Sequence, residues 1–236
     1  MSGWARKVFW QAVTVAPGEG GFAVLLDGRP LRTPAKAPLV LPSEALAGLV
    51  AEEWRAQEGS IRPETMPATR RANAAIGKVR GQKHEVAALV AAYGETDLLC
   101  YRASAPEALR ARQDAAWNPL LDWATDRYGI AWRVTEGVMP APQPEKTLVA
   151  LQAQVQAFTS FELTAFHDLV ALSGSLVIGL AAAEKARPIE VLWQAARIDE
   201  DWQAEQWGFD DEAAQAAAFK HRDFLEAADF LRACRA

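Results

Sequence analysis

Apolar and polar residues alternate near the start of the chain, and the apolar positions then change to helical spacing. The first forty residues contain four short runs rich in strand formers, KVFWQAVTV, GFAVLL, RPLRT and LVL. Phe22, Val24 and Leu26 alternate as one face of a strand does, and the Asp27-Gly28 pair that follows is a strong hairpin signal. The pattern therefore predicts a small antiparallel β unit at the front.

Helical spacing begins after Ser43, which is placed to cap a first helix. The predicted apolar stripe of that helix is Leu46, Leu49, Val50 and Trp54. Further helices are predicted for residues 67–79, 83–93, 106–128, 145–159, 161–183, 188–207 and 210–232. Two extended pieces, 98–102 and 131–135, are expected either to pair with each other or to extend the front sheet.

This pattern predicts an α+β fold, in which a small antiparallel β-containing amino-terminal domain precedes a larger, mostly α-helical domain. We predict residues 1–58 as the β-rich domain with one helix and residues 59–236 as the helical domain. A chain of 236 residues with 50% hydrophobic composition can bury a substantial core. A soluble globular protein is expected.

Composition narrows the partners and the compartment. A net charge of −5 and a pI near 5.4 argue against nucleic acid as a partner. The longest apolar run, residues 169–183, is shorter than the roughly 20 residues of a membrane span, so no membrane insertion is expected. Cys100 and Cys234 stand far apart, without a CxxC pattern, which predicts a reducing compartment and no disulfide. No signal or transit pattern opens the chain, which predicts a cytoplasmic protein.

Metal and cofactor motifs do not emerge from the sequence. His84, His167 and His221 form no HExxH or HxH pattern, so no metal site is predicted. The glycines of GEGGF do not follow a phosphate-binding pattern, and no cofactor is predicted. A stripe of small residues is expected to let a neighbouring helix approach closely. It consists of Ala171, Ser175, Gly179 and Ala183.

The segment ARIDEDWQAEQWG places four acids among two tryptophans near the carboxyl end. At 100° per residue, one side of the predicted helix 188–207 is an ordinary core stripe. This stripe consists of Val191, Ala195, Ile198 and Trp202. Roughly opposite lies a second stripe, made of Trp193, Arg197, Glu200, Ala204 and Trp207. Asp201 and Glu205 lie on a polar side between the two, and Asp199 on the remaining flank.

The second stripe must be covered, because two tryptophans are not left in water without reason. Either another helix of this chain covers it, with Glu200 and Arg197 as a partly buried pair, or a partner protein does. A catalytic role for Glu200 needs a second converging group, and the helix itself supplies only a cation.

Seven stretches, in this order, resemble the assembly chaperones of the F-type ATP synthase catalytic head. They are GGFAVLLDGRPLRTP, EEWRAQ, MPATRRANAAI, TDLLCYRA, WNPLLDW, SGSLVIGLA and ARIDEDWQAEQWG. The resemblance spans nearly the whole chain. Ala68 stands where the family usually has Leu, and Asn118 stands where a WDP-like motif is common.

The resemblance implies a chaperone without enzymatic activity, which holds the free alpha subunit until the beta subunit replaces it. From the last of these motifs the resemblance implies Glu200 as the essential acid, accompanied by Asp199, Trp202 and Trp207. Arg197 and Trp193, which share the second stripe with Glu200, complete the predicted partner-binding set. We expect the chain to be monomeric when free and cytoplasmic, with organellar relatives in the mitochondrial matrix. One rival reading is a carboxylate-dependent hydrolase, in which Glu200 meets Asp97 or Asp122 in an interdomain cleft. A second rival reading is a purely structural subunit with a permanent partner.

Overall fold

The computed structural model describes residues 7–137, 139–208 and 210–236, and it opens with a four-stranded antiparallel sheet. The strands are β1 (Val13–Gly18), β2 (Gly21–Leu26), β3 (Arg29–Pro30) and β4 (Val40–Leu41). β2 is central and pairs with the other three. The predicted β unit is confirmed, although its first regular strand begins only at Val13.

The chemistry of two turns explains the sheet. Asp27 and Gly28 have positive φ of 47° and 77°, as a two-residue hairpin requires, and they join β2 to β3 as predicted. Gly21 has a φ of 149°, and a Cβ there would lie 2.2 Å from the carbonyl oxygen of Leu41. β2 and β4 therefore pair only with glycine at this position.

Helix α1 (Glu44–Arg55) packs beside this sheet, and the Ser43 side chain accepts a hydrogen bond from the Leu46 amide. The predicted cap is confirmed. The buried face differs from the predicted stripe because Leu49 is exposed. The face consists of Leu46, Ala47, Val50 and Ala51.

Nine further α-helices follow in the part of the chain that the structure describes, and they carry most of it. They are α2 (Pro67–Gly77), α3 (Lys83–Ala91), α4 (Glu107–Tyr128), α5 (Glu145–Ala157), α6 (Ser160–Ser173), α7 (Leu176–Ala183), α8 (Ile189–Ala196), α9 (Ile198–Trp207) and α10 (Asp211–Cys234). The two predicted extended pieces contribute β5 (Tyr101–Arg102) and β6 (Thr135–Glu136), which pair in parallel with each other. The α+β fold is as predicted.

Two predicted helices are broken in two, which corrects the sequence reading. Residues 161–183 form two helices, α6 from its second residue onward and all of α7, because Gly174 adopts a φ of 68° and Ser175 is extended as the cap of α7. The predicted stripe of small residues therefore does not lie on one helix. One of its members still packs closely, since a Cβ on Gly179 would lie 2.5 Å from a methyl carbon of Val170. The second broken helix, 188–207, carries the candidate site.

Contacts group the chain into two compact units. Unit 1 contains residues up to Lys83 together with Thr159–Ala165 and Asp229–Ala236, and unit 2 contains His84–Phe158 and Phe166–Ala228. The domain boundary predicted after residue 58 stays a prediction. No helix in the described part of the chain is both long and apolar enough to cross a membrane.

Candidate functional site

The acidic tryptophan segment, residues 197–207, begins at a break in the backbone. Helix α8 ends at Ala196, Arg197 adopts φ −106° and ψ 2°, and α9 starts at Ile198. The Arg197 amide still donates to Gln194 O (3.1 Å), and its carbonyl accepts from the Asp201 amide (2.8 Å). Because the helix is not continuous, one wheel of 100° steps cannot describe both halves. The core position predicted for Val191 is wrong, because the buried face of α8 consists of Leu192, Trp193, Ala195 and Ala196 and the Val191 side chain is exposed.

Trp193, on α8, is covered by residues of its own unit. Its ring stacks on His221 at 5.3 Å between centroids and lies 5.4 Å from the buried ring of Phe224. The Arg197 guanidinium lies 5.9 Å from the same indole. The first of the two alternatives, an internal cover, therefore applies to Trp193, and its predicted role in partner binding stays a prediction.

Helix α4 holds one side of α9 through two neighbouring residues. The buried amide of Gln113 donates to Asp199 Oδ1 (2.6 Å) and accepts from the Ala103 amide (2.8 Å). Arg112 pairs with the Glu205 carboxylate (2.8 Å), and its guanidinium lies 4.7 Å from the centre of the half-buried Trp202 ring. The hydrogen bond from Arg112 holds the pKa of Glu205 below its usual range.

Glu200 and Asp201 point into solvent while sharing one cation. Glu200 Oε1 lies 3.3 Å from Arg197 Nη1, and Asp201 Oδ1 lies 3.5 Å from Nη2. The Arg197 side chain is only 18% exposed, whereas those of the two acids are 53% and 57% exposed. All three belong to the start of α9, where the unpaired amides of the helix favour negative charge. Glu200 is thus both oriented from inside and accessible from outside.

Trp207 ends α9 and is 80% exposed. It is followed by Gly208, whose φ of 95° ends the helix. An indole is a large apolar surface to leave in water. For Trp207, the second alternative, in which a partner protein supplies the cover, therefore remains open.

The acids of the rival hydrolase reading occupy different surroundings. Asp97 is fully buried, and its carboxylate accepts hydrogen bonds from Ser175 Oγ (2.7 Å), the Val177 amide (3.0 Å) and the Leu99 amide (3.0 Å). Burial raises the pKa of Asp97 despite these bonds. Asp122 is exposed, like Glu200. Asp97 therefore holds the start of α7, and this use is structural.

Other motif residues also have structural uses. Glu53, in EEWRAQ, accepts from the amides of Ala68 (2.5 Å) and Thr69 (2.8 Å) and from the Thr69 hydroxyl (2.6 Å), and so caps α2. Asn118 accepts from the buried guanidinium of Arg102 at 2.7 Å. Ala68 contributes only its backbone amide to this cap. Alanine therefore fulfils the same capping role at this position as the leucine that the family usually has.

Sequence reasoning missed Arg112 and Gln113. Their partners lie 93 and 86 positions away along the chain, and no local pattern marks such pairs. Among the described residues, no group of three or more His, Cys, Asp and Glu is arranged to hold a metal ion.

A family model described as ATP12 chaperone protein matches residues 7–125. Two solved structures are similar over nearly the whole chain. The crystal structure of Atp12 from Paracoccus denitrificans is 48% identical with a TM-score of 0.94, covering 98% of this chain and 99% of that one. An aspartate-to-lysine mutant of P. denitrificans Atp12p is 47% identical with a TM-score of 0.95, covering 99% and 100%.

A more distant relative is the mitochondrial protein atp12 of Schizosaccharomyces pombe. It is 23% identical over 212 residues, which are 85% of this chain and 73% of that protein. The family model, the two solved structures and the S. pombe relative all indicate the same family. The chain belongs to the ATP12 chaperone family, which serves the assembly of ATP synthase.

Proposed function

We propose that this chaperone binds the free alpha subunit of the ATP synthase and covers its assembly face until the beta subunit replaces it. A lone subunit exposes a face that is meant for its neighbour, and such patches promote aggregation. Covering them requires no turnover of a substrate. We place the activity in the cytoplasm, with a chain that is monomeric when free.

The observation that carries the proposal is the shared exposure of Glu200 and Trp207. Seven positions separate them on α9, which is close to two turns, so both side chains leave the same face of the helix. Both are more than half exposed. A large aromatic ring beside a charged group is typical of the few residues that dominate a protein interface.

The arrangement around Arg197 gives Glu200 a defined direction before a client arrives. A Lys or Arg of the client would meet an acid already oriented by a mostly buried guanidinium. Preorganisation of this kind reduces the entropy lost on binding. Arg112 and Gln113 act in the same sense, because they fix Glu205 and Asp199 on the same short helix.

Release of the client follows from competition. The beta subunit offers the alpha subunit a different contact surface, and the chaperone leaves when that contact has the lower free energy. This step requires no nucleotide hydrolysis by the chaperone.

The proposal is tested by reversing the charge of Glu200. We expect Glu200→Lys to lose most capture of the purified alpha subunit, with an unchanged circular dichroism spectrum and melting temperature. Glu145→Lys is the matched control, because Glu145 is an exposed acid in the first turn of α5. Capture that is undiminished by Glu200→Lys contradicts the proposed binding role.

A further inference from the structure

The first ten residues of α10 form an exposed alanine segment, residues 211–220. All of them are exposed except Ala217, which is half-buried. Five are alanines, and the Phe219 side chain is 53% exposed. A surface helix normally presents charged and polar residues to water. Alanine and phenylalanine at these positions point to a surface that another molecule covers.

The segment is a helix before any partner binds. Asp210 caps it, since its side chain accepts from the Glu212 amide (3.2 Å) and its carbonyl accepts from the Ala214 amide (2.9 Å). Packing begins at His221, which stacks on Trp193, and continues with the buried Phe224. The exposed alanine segment is therefore the free half of an anchored helix.

Charge restricts what can cover this half. Between Arg197 and Lys220 the chain holds seven acids and no basic residue, and two cations from outside this stretch, Arg197 and Arg112, pair with three of these acids and leave a net negative charge. The acids are Asp199, Glu200, Asp201, Glu205, Asp210, Asp211 and Glu212. Nucleic acid and anionic lipid would be repelled, and a second copy of this surface would place acid against acid. The complementary partner is a cationic polypeptide.

Side-chain size restricts the shape of the partner. Alanines let a second helix approach to the short end of the roughly 8–10 Å range of helix separations. The large apolar side chains must then come from the partner, as they do when an amphipathic helix enters a groove. Phe219, with the Arg222 guanidinium 4.9 Å from its ring, marks the end of the surface.

We propose that the exposed alanine segment is a second contact surface, which receives a helix of the client that carries Lys or Arg beside large apolar side chains. This inference rests on the proposed function, because the client is the alpha subunit. It adds an apolar contact on α10 to the charged contact on α9.

The first experiment separates charge from bulk at one exposed position. Ala214→Arg and Ala214→Glu add side chains of similar length, and both residues are compatible with a helix. We expect Ala214→Arg to weaken the affinity for purified alpha subunit about tenfold or more, and Ala214→Glu to weaken it less. Ala88→Arg, at an exposed alanine inside α3, is the matched control and should leave the affinity unchanged.

The second experiment removes the aromatic end of the surface. We expect Phe219→Ser to weaken the same affinity, while Leu89→Ser, at an exposed leucine of α3, has no effect. Benzoylphenylalanine in place of Ala214 should crosslink, under light, to a client helix rich in Lys or Arg.

The outcomes distinguish this inference from the proposed function. If Glu200→Lys abolishes capture while the Ala214 and Phe219 variants bind as the unmodified chain does, the second surface is wrong and the proposed function stands. Equal losses in Ala214→Arg and Ala214→Glu would overturn the cationic partner. If none of these variants, including Glu200→Lys, changes capture, both assigned contact surfaces are wrong. If the unmodified chain does not capture the purified alpha subunit, the proposed function itself fails.

Discussion

Two helices of unit 2 begin beside carboxylates, and they use them in opposite ways. At the start of α7, Asp97 is fully buried and receives three hydrogen bonds from nearby amides and a hydroxyl. At the start of α9, Glu200 and Asp201 share one guanidinium and otherwise face water. Both arrangements suit a helix amino terminus, where unpaired amides favour negative charge.

The difference teaches how to separate a structural acid from an available one. A buried carboxylate must be satisfied inside the protein, so its oxygens are already used. An exposed carboxylate with a single long ion pair adds little to stability and keeps oxygens free for a partner. We therefore expect substitutions at α7 to change folding and substitutions at α9 to change binding.

The largest effect is expected for Asp97→Ala. The change leaves buried donors at Leu99, Ser175 and Val177 without an acceptor, each at a cost of about 1–3 kcal/mol. We expect the free energy of unfolding, measured in urea, to fall by about 3 kcal/mol or more. A loss below about 1 kcal/mol would mean that the buried bonds contribute little.

Gly179→Ala should follow in size. The added Cβ would lie 2.5 Å from a methyl carbon of Val170 and 3.1 Å from the Phe166 ring, so the packing of α7 must shift. Overpacking of this kind costs about 1–3 kcal/mol of unfolding free energy. Gly48→Ala is the control, because nothing lies within 4 Å of a Cβ at that helical position. That control should stabilise α1 by up to about 1 kcal/mol.

Gln113→Ala should have an intermediate effect on stability, because Gln113 is a buried residue that hydrogen-bonds to Asp199 of the exposed helix α9. Its loss leaves the Ala103 amide and the Asp199 carboxylate without their shared partner. We expect the free energy of unfolding to fall by about 1–2 kcal/mol. Hydrogen exchange in α9 should become faster, and an unchanged exchange rate there would contradict the supporting role of Gln113.

The pH dependence of stability should reveal the burial of Asp97. Because burial raises the folded-state pKa of Asp97, its contribution is fully present below the ordinary value of about 3.9 and is lost as pH rises through the raised value. Asp97→Asn does not titrate there. As pH rises, the unfolding free energy of the unmodified chain should therefore fall relative to that of Asp97→Asn. A difference between the two chains that stays constant with pH would contradict a raised pKa of Asp97.

The smallest stability effect is expected for Glu200→Gln. The lost ion pair with Arg197 is half exposed, and surface pairs of this kind contribute little. We expect the free energy of unfolding to change by no more than about 0.5 kcal/mol. A larger loss, measured in the same urea titration, would place Glu200 with the structural acids and erase the contrast with Asp97.

Local chemistry made much of the fold predictable. Asp27-Gly28 specifies a tight hairpin from two adjacent residues, and Ser43 caps α1 within three positions. The strand formers at 98–102 and 131–135 also contribute two strands that pair with each other, which is one of the two expected pairings. Signals of this kind act over a few residues, so they can be recognised from the sequence alone.

The two helix breaks were harder to predict for different reasons. Gly174 is visible in the sequence, but the small residues around it continue a helical spacing, and only the cap at Ser175 shows that the helix restarts. The break at Arg197 has no glycine or proline at all. It is specified by tertiary contacts on either side, including the hydrogen bond from the Trp117 indole to the Ala195 carbonyl (2.8 Å).

The helix face shared by Glu200 and Trp207 was predictable from the sequence, and the surroundings of the two side chains were not. Glu200 and Trp207 could be placed on one helix face because both lie within α9. Trp193 could not be joined to them, since the break at Arg197 intervenes. Exposure depends on what packs nearby, and the α4 residues that hold α9, Arg112 and Gln113, lie 93 and 86 positions from their partners in the sequence.

The alanines of residues 211–220 have one more consequence. Alanine has no side-chain rotamers to lose, so covering it immobilises almost nothing beyond the backbone, which the helix already fixes. A partner that binds this surface therefore loses little side-chain entropy and meets no bulky side chains. The contribution of the surface to affinity should appear mainly as a slower rate of dissociation.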